Sequence, residues 1–144
     1  MIKIEIGKNE NEIIIGNVLI SLSEEKDNII NRISQFYNDN LITKNSLIGI
    51  NEVTFFDKTG TLWFDFSDDK LDAIKIDYQG INTGYTYDAN PIIKEFNNKC
   101  KELYGDPEYS MYDLQNFYNA SLLTIGVIKV SQGMYAQILF TNRK

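Results

Sequence analysis

The stretch Asn51–Gly80, NEVTFFDKTGTLWFDFSDDKLDAIKIDYQG, constrains this chain more than any other. Val53 and Phe55, then Leu62, Phe64 and Phe66, then Ile74, Ile76 and Tyr78 recur at every second residue, the period of strands with one buried face. Thr61, Trp63 and Asp65, and on the next strand Lys75 and Asp77, fall on the opposite, polar side. Turns are expected at Lys58-Thr59-Gly60 and Ser67-Asp68-Asp69-Lys70, which makes the segment an antiparallel meander of three strands.

The flanks suggest what the meander packs against. Ser21–Asn40 reads as a helix: Ser21 and Glu24 have capping-box spacing, Ser23 is a second candidate cap, and Glu24, Glu25 and Asp27 suit the positive end of a helix dipole. Ile29, Ile30, Ile33, Phe36 and Tyr37 share one face of it. A second helix has sharper bounds, with Asn90 as N-cap, Pro91 at the first helical position, Gly105 past the end and Pro107 beyond. Ile92, Ile93, Phe96, Cys100 and Leu103 form its apolar side.

Three more strands are expected at Met111–Tyr118, Ser121–Val130 and Met134–Thr141, with turns at Asn119-Ala120 and Ser131-Gln132-Gly133. Asn40–Ile50 and Gln79–Ala89 read as connectors. Ile2, Ile4 and Ile6 alternate as in a strand, a turn at Gly7–Asn11 follows, and the run Glu12–Ile20 is either bulged or broken at Gly16-Asn17. The order helix then three strands occurs twice, in 21–80 and 90–141. The expected fold is α+β in a single domain, 1–144: two αβββ units forming one antiparallel sheet with two helices packed on one face, preceded by an N-terminal strand or hairpin.

Composition excludes several functions. The chain has no histidine, which removes Ser-His-Asp and Cys-His catalysis and histidine-based zinc sites. Its net charge is −6 with two arginines, Arg32 and Arg143, an unsuitable balance for nucleic acid. No apolar run exceeds three residues, so no membrane span is expected. The N-terminus lacks a basic region followed by a continuous apolar one, so no secretory signal is expected. One cysteine, Cys100, fits a reducing, cytoplasmic setting and reads as a small core residue.

FSDDKLDAIKI followed by the helix ending KELYGDP resembles a pattern in small bacterial α+β domains: an acidic hairpin turn, a strand, and a helix closing on Tyr-Gly-x-Pro before a terminal hairpin. The whole is similar to immunity proteins that neutralise secreted bacterial toxins and to protein-inhibitor folds built of αβββ repeats. The resemblance spans about 21–141 and implies an interaction role; it carries over no functional residue.

The residues themselves offer two constellations. Asp57, Asp65, Asp68, Asp69, Asp72, Asp77 and Asp88 face only Lys58, Lys70 and Lys75 in the same stretch, a local charge of −7 + 3 = −4. A calcium site would require the spacing and distal Glu of an EF-hand, which DFSDDKLD lacks. A hydrolase pair would require two opposed carboxylates, for which Asp65 and Asp77 are candidates. Otherwise these are turn formers on a solvated face, or an acidic recognition surface anchored by Trp63. The second constellation is Tyr78, Tyr85, Tyr87, Tyr104, Tyr109, Tyr112 and Tyr118, which either supply contact area or stitch loops onto the sheet.

Together these point to a non-enzymatic protein-binding module, an immunity-type inhibitor of a basic bacterial toxin, with no cofactor and no metal. Its expected site is Trp63, Asp65, Asp68, Asp69, Asp77, Tyr85 and Tyr87, centred on the first half's outer face. The alternatives are a small-molecule binding or enzymatic domain with a pocket between sheet and helices, and an oligomerising module using Met134–Thr141 as an edge strand.

Overall fold

The computed structural model describes residues 2–7, 11–36, 40–44, 47–112 and 114–142. Tyr37, Arg143 and residues 8–10 of the first turn lie outside the described residues. The expected meander is present as β5 (Leu47–Phe55), β6 (Lys58–Ser67) and β7 (Lys70–Gln79). Its first turn is Phe56-Asp57, both at positive φ (50° and 62°), rather than Lys58–Gly60. Gly60 belongs to β6, where a β-carbon would stand 2.5 Å from the Asp77 carbonyl oxygen. The second turn is Asp68-Asp69, also with positive φ (52° and 60°), which asparagine and aspartate tolerate best after glycine.

The strands β10 (Tyr109–Met111), β11 (Gln115–Ala120), β12 (Leu123–Val130) and β13 (Tyr135–Asn142) form a second antiparallel run. It joins the first through β13 and β7, centred on the pair Ile138↔Ile76. β13 is therefore an interior strand, bonded to β12 and β7, and not the exposed edge expected for Met134–Thr141. The N-terminal residues give three strands, β1 (Ile2–Ile6), β2 (Glu12–Ile15) and β3 (Val18–Ser21), so Gly16-Asn17 is a break, with Gly16 at φ 63°.

Expected as α+β with two helices on an antiparallel sheet, the chain is instead mostly strand, 58% against 22% helix, in one mixed sheet of eleven strands among the described residues. The order is β10-β11-β12-β13-β7-β6-β5-β1-β2-β3, with β4 (Leu41–Lys44) also paired to β5. β1 runs parallel to β5, which makes the sheet mixed. A bulge at Asn51-Glu52, with Glu52 at φ 58°, divides β5. Before it β5 pairs with β4, and after it with β1.

The first helix is much shorter than expected, and this is the physical reason for the different architecture. α1 spans Lys26–Ile33, with a 3-10 turn to Phe36. Ser21–Glu25 leave the helix because their backbone pairs elsewhere: Ser23 N–H donates to the Leu71 carbonyl, Leu71 N–H to that of Glu24 and Lys26 N–H to that of Asp69. The capping-box contact forms nonetheless, Glu24 Oε1 accepting from Ser21 N–H at 3.0 Å, but within a turn after β3. With two buried residues, Ile29 and Ile33, α1 is too small to cover β5–β7. β1–β3 do so instead, turning Ile4, Ile13, Ile15, Val18 and Ile20 onto the core. The circuit β1-β2-β3, the 23–26 segment, β7-β6-β5 and back to β1 is continuous in backbone hydrogen bonds.

The second half is covered by α2 (Asn90–Tyr104), packed on β11, β12 and β13. It starts one residue earlier than expected, with Ala89 rather than Asn90 at the N-cap, and ends at Gly105 in positive φ (84°). Phe96 meets Tyr78 edge-on at 4.8 Å between ring centroids, and burying an aromatic of that size contributes roughly 1.5–3 kcal/mol. Leu103, placed on the apolar side by periodicity, is exposed. Between α2 and β7, the hairpin β8 (Ile81–Asn82) and β9 (Tyr87–Asp88) occupies the expected connector.

Candidate functional site

One face of the long sheet is core; the other carries no covering layer among the described residues. Pairing across β5, β6, β7, β13, β12, β11 and β10 sets its composition. One row reads Gly49, Trp63, Lys75, Leu139, Gly126, Phe117, Tyr109, and the next Thr61, Asp77, Gln137, Ile128, Gln115, Met111. Trp63, Asp65, Lys75 and Asp77 thus share the outer face, as their alternation required. Asp65 lies 3.5 Å from the Lys75 ammonium, and Asp77 Oδ1 accepts from Gln137 Nε2 at 2.9 Å.

The bulge in β5 turns this face into a groove. Glu52 and Asn51 stand on one side and Asp77, Gln79 and Tyr135 on the other, around Trp63 and Thr61, enclosing about 650 Å³. Thr61 Oγ1 donates to Asn51 Oδ1 at 3.2 Å, which fixes the bulge to β6. The indole of Trp63 folds over Gly49 of the neighbouring strand, and the Phe117 ring over Gly126. Aromatic side chains laid on cross-strand glycines fill the space those residues leave. Trp63 is accordingly half-buried without any overlying layer.

The remaining expected site residues do not join this groove. Asp68 and Asp69 form the turn at one end of β7. Tyr85 and Tyr87 lie beyond its other end, on the β8–β9 hairpin, Tyr85 fully exposed at 100% and Tyr87 half-buried. A ten-residue strand separates the two groups by about 30 Å. The tyrosines divide likewise, since Tyr78 and Tyr118 are core residues. Tyr118 donates to Asn97 Oδ1 at 2.7 Å and so ties β11 to α2.

The hydrolase pairing has no geometric support. Asp77 pairs with Thr61, four residues before Asp65 along β6, a separation of about 13 Å, beyond the range of paired glycosidase carboxylates. No group of three or more His, Cys, Asp or Glu side chains suited to a metal occurs among the described residues. No described helix is long and apolar enough to cross a membrane.

The sequence reading missed Glu52, Tyr135, Gln137, Leu139, Ile128 and Phe117 as outer-face residues. The signal was available for part of this set, because Tyr135, Gln137 and Leu139 alternate with the buried Ala136, Ile138 and Phe140. Glu52 carried none, its position depending on the bulge. No protein-family model matches the sequence, and no curated protein or solved structure shows significant similarity to it.

Proposed function

We propose that this chain is a non-enzymatic binding module that receives a basic protein partner on the uncovered face of its sheet. The observation that carries this reading is Trp63, half-buried between Gly49 and Lys75 in an open groove that Glu52, Asp77 and Lys44 also line. An indole held by its own strand neighbours offers contact area with little rotamer freedom to lose, as interface anchors do. The net charge of −6 steers a cationic partner and repels nucleic acid. Across β13, β12 and β11 the face turns apolar with Leu139, Ile128 and Phe117, which widens the contact beyond the first half. In its specific form the reading is an immunity-type inhibitor, acting in the cytoplasm on a basic bacterial toxin. Its single cysteine, buried and unpaired, suits that compartment.

The test is capture from an extract of the source cells with three baits: the wild-type chain, Trp63→Ala combined with Asp77→Lys, and Tyr85→Ala. The reading expects one basic protein retained by the wild-type and Tyr85→Ala baits and absent from the double variant. Retention by the double variant contradicts it. Inhibition of the captured protein's toxicity by the wild-type chain then separates an immunity role from simple association.

A further inference from the structure

A second concavity lies on the other side of the sheet and shares no residue with the groove. β1 and β5 are paired only at Ile2↔Val53 and Lys3↔Thr54. Beyond that β1 stays with β2 through Ile6, while β5 ends at Phe55 and turns away at Phe56-Asp57. The strands part, and the last turns of α2 close the gap as a third wall. The resulting cleft holds about 760 Å³, within the roughly 300–1,000 Å³ of small-molecule sites.

Its walls are apolar and continuous with the core, formed by Ile4, Ile6, Phe55 and Phe56. Its charged lining is Lys3, Lys99 and Asp57, a net +1 in a chain of net −6. Lys99 is held over the apolar wall: its ammonium donates to the Phe56 carbonyl at 3.0 Å and sits 5.6 Å from the centre of the Phe56 ring. Its acidic neighbours are Asp57 at 3.7 Å and Glu95 at 3.8 Å, and Asp57 is 97% exposed at its side chain. The pair with Asp57, whose carboxylate is open to water, is weak, so an incoming anion displaces it at little cost. The Tyr104 hydroxyl beside them remains a hydrogen-bond donor, because burial and then Cys100 raise its pKa.

We propose that this cleft binds a single-chain amphiphile with a carboxylate head, of the fatty-acid class. The tail lies against Ile4, Ile6, Phe55 and Phe56, and the carboxylate meets Lys99 and Lys3. Lys3 already has Glu5 at 3.4 Å, and Lys99 has Asp57 and Glu95, so a head with one negative charge exchanges with these carboxylates where a phosphate dianion adds a second charge beside them. The proposal is independent of the outer-face reading.

Calorimetric titration with dodecanoate, dodecyltrimethylammonium and 1-dodecanol, each below its micellar concentration, tests it. Saturable one-to-one binding of dodecanoate is expected, at least about tenfold tighter than the ammonium amphiphile. Lys3→Gln with Lys99→Gln, two side chains outside the core, removes that preference while an unchanged circular dichroism spectrum shows the fold intact. Trp63→Ala leaves the titration unaltered. The proposal is overturned by absence of saturable dodecanoate binding, by equal affinity for the cationic amphiphile, by indifference to the double lysine variant, or by loss of binding in Trp63→Ala.

Discussion

The Trp63 indole occupies the space of the side chain that Gly49 lacks: a β-carbon on Gly49 would stand 2.6 Å from Cε3 and 2.9 Å from Cζ3 of Trp63. The same carbon would meet the Leu62 carbonyl oxygen at 2.6 Å, so the backbone offers no relief. Gly49→Ala is therefore predicted to push the indole into solvent and to destabilise the fold by about 1–3 kcal/mol, the usual cost of overpacking. Trp63 is the single tryptophan, so a red shift in emission reports the displacement and urea unfolding reports the cost.

Two asparagines tie the N-terminal strands to the last strand. Asn11 Nδ2 donates to Asn142 Oδ1 at 2.7 Å, and Asn142 Nδ2 to Ser23 Oγ at 2.8 Å. Asn142→Ala removes both bonds and is predicted to cost about 1–3 kcal/mol in urea unfolding. Faster hydrogen exchange in β2 and β3, with α2 unchanged, is the accompanying local signature.

Alkaline pH weakens the fold through buried acids that must stay protonated. Burial, the first cause for each, pushes the Cys100 thiol from its ordinary 9.0 up to about 12 and the Tyr118 phenol from 10.0 up to about 12. Cys100 and Asp106 add to the effect on Tyr118, and burial raises Tyr78 as well. With folded values above unfolded ones, the unfolded chain releases protons first. Stability is therefore full below pH 9 and falls as pH rises toward 12, at about 1.4 kcal/mol per pH unit for each titrating group. Urea midpoints between pH 8 and 11 are predicted to decline, and Cys100→Ala to decline less steeply.

The strands and α2 were legible because their signals are local. Two-residue alternation placed Trp63, Asp65, Lys75 and Asp77 on one face, and Pro91 with Gly105 bounded α2 to within about a residue. What sequence could not show were relationships between distant segments. The first helix lost Ser21–Glu25 because the backbone of Leu71 and Asp69 engages those residues, an alternative invisible from their own propensities. The cover over β5–β7 came from isoleucines whose alternation says nothing of what they pack on. The expected site dispersed for the same reason, since Asp69 and Tyr87 are near in sequence through a strand that carries them apart.

Association on the outer face is predicted to divide by residue type. Asp65→Lys, whose carboxylate is partly exposed beside Lys75, slows capture of a basic partner and weakens its salt dependence with little change in folding stability. Trp63→Ala acts mainly on dissociation. Surface plasmon resonance at two ionic strengths separates the two effects.

The central claim is that the uncovered sheet face is where this chain meets its partner. Hydrogen exchange of the chain alone and in its captured complex tests it most directly. The account predicts new protection in β6, β7 and the Asn51-Glu52 bulge, with none in the β8–β9 hairpin. Protection confined to that hairpin or to the exposed side of α2, with β6 and β7 unchanged, contradicts it.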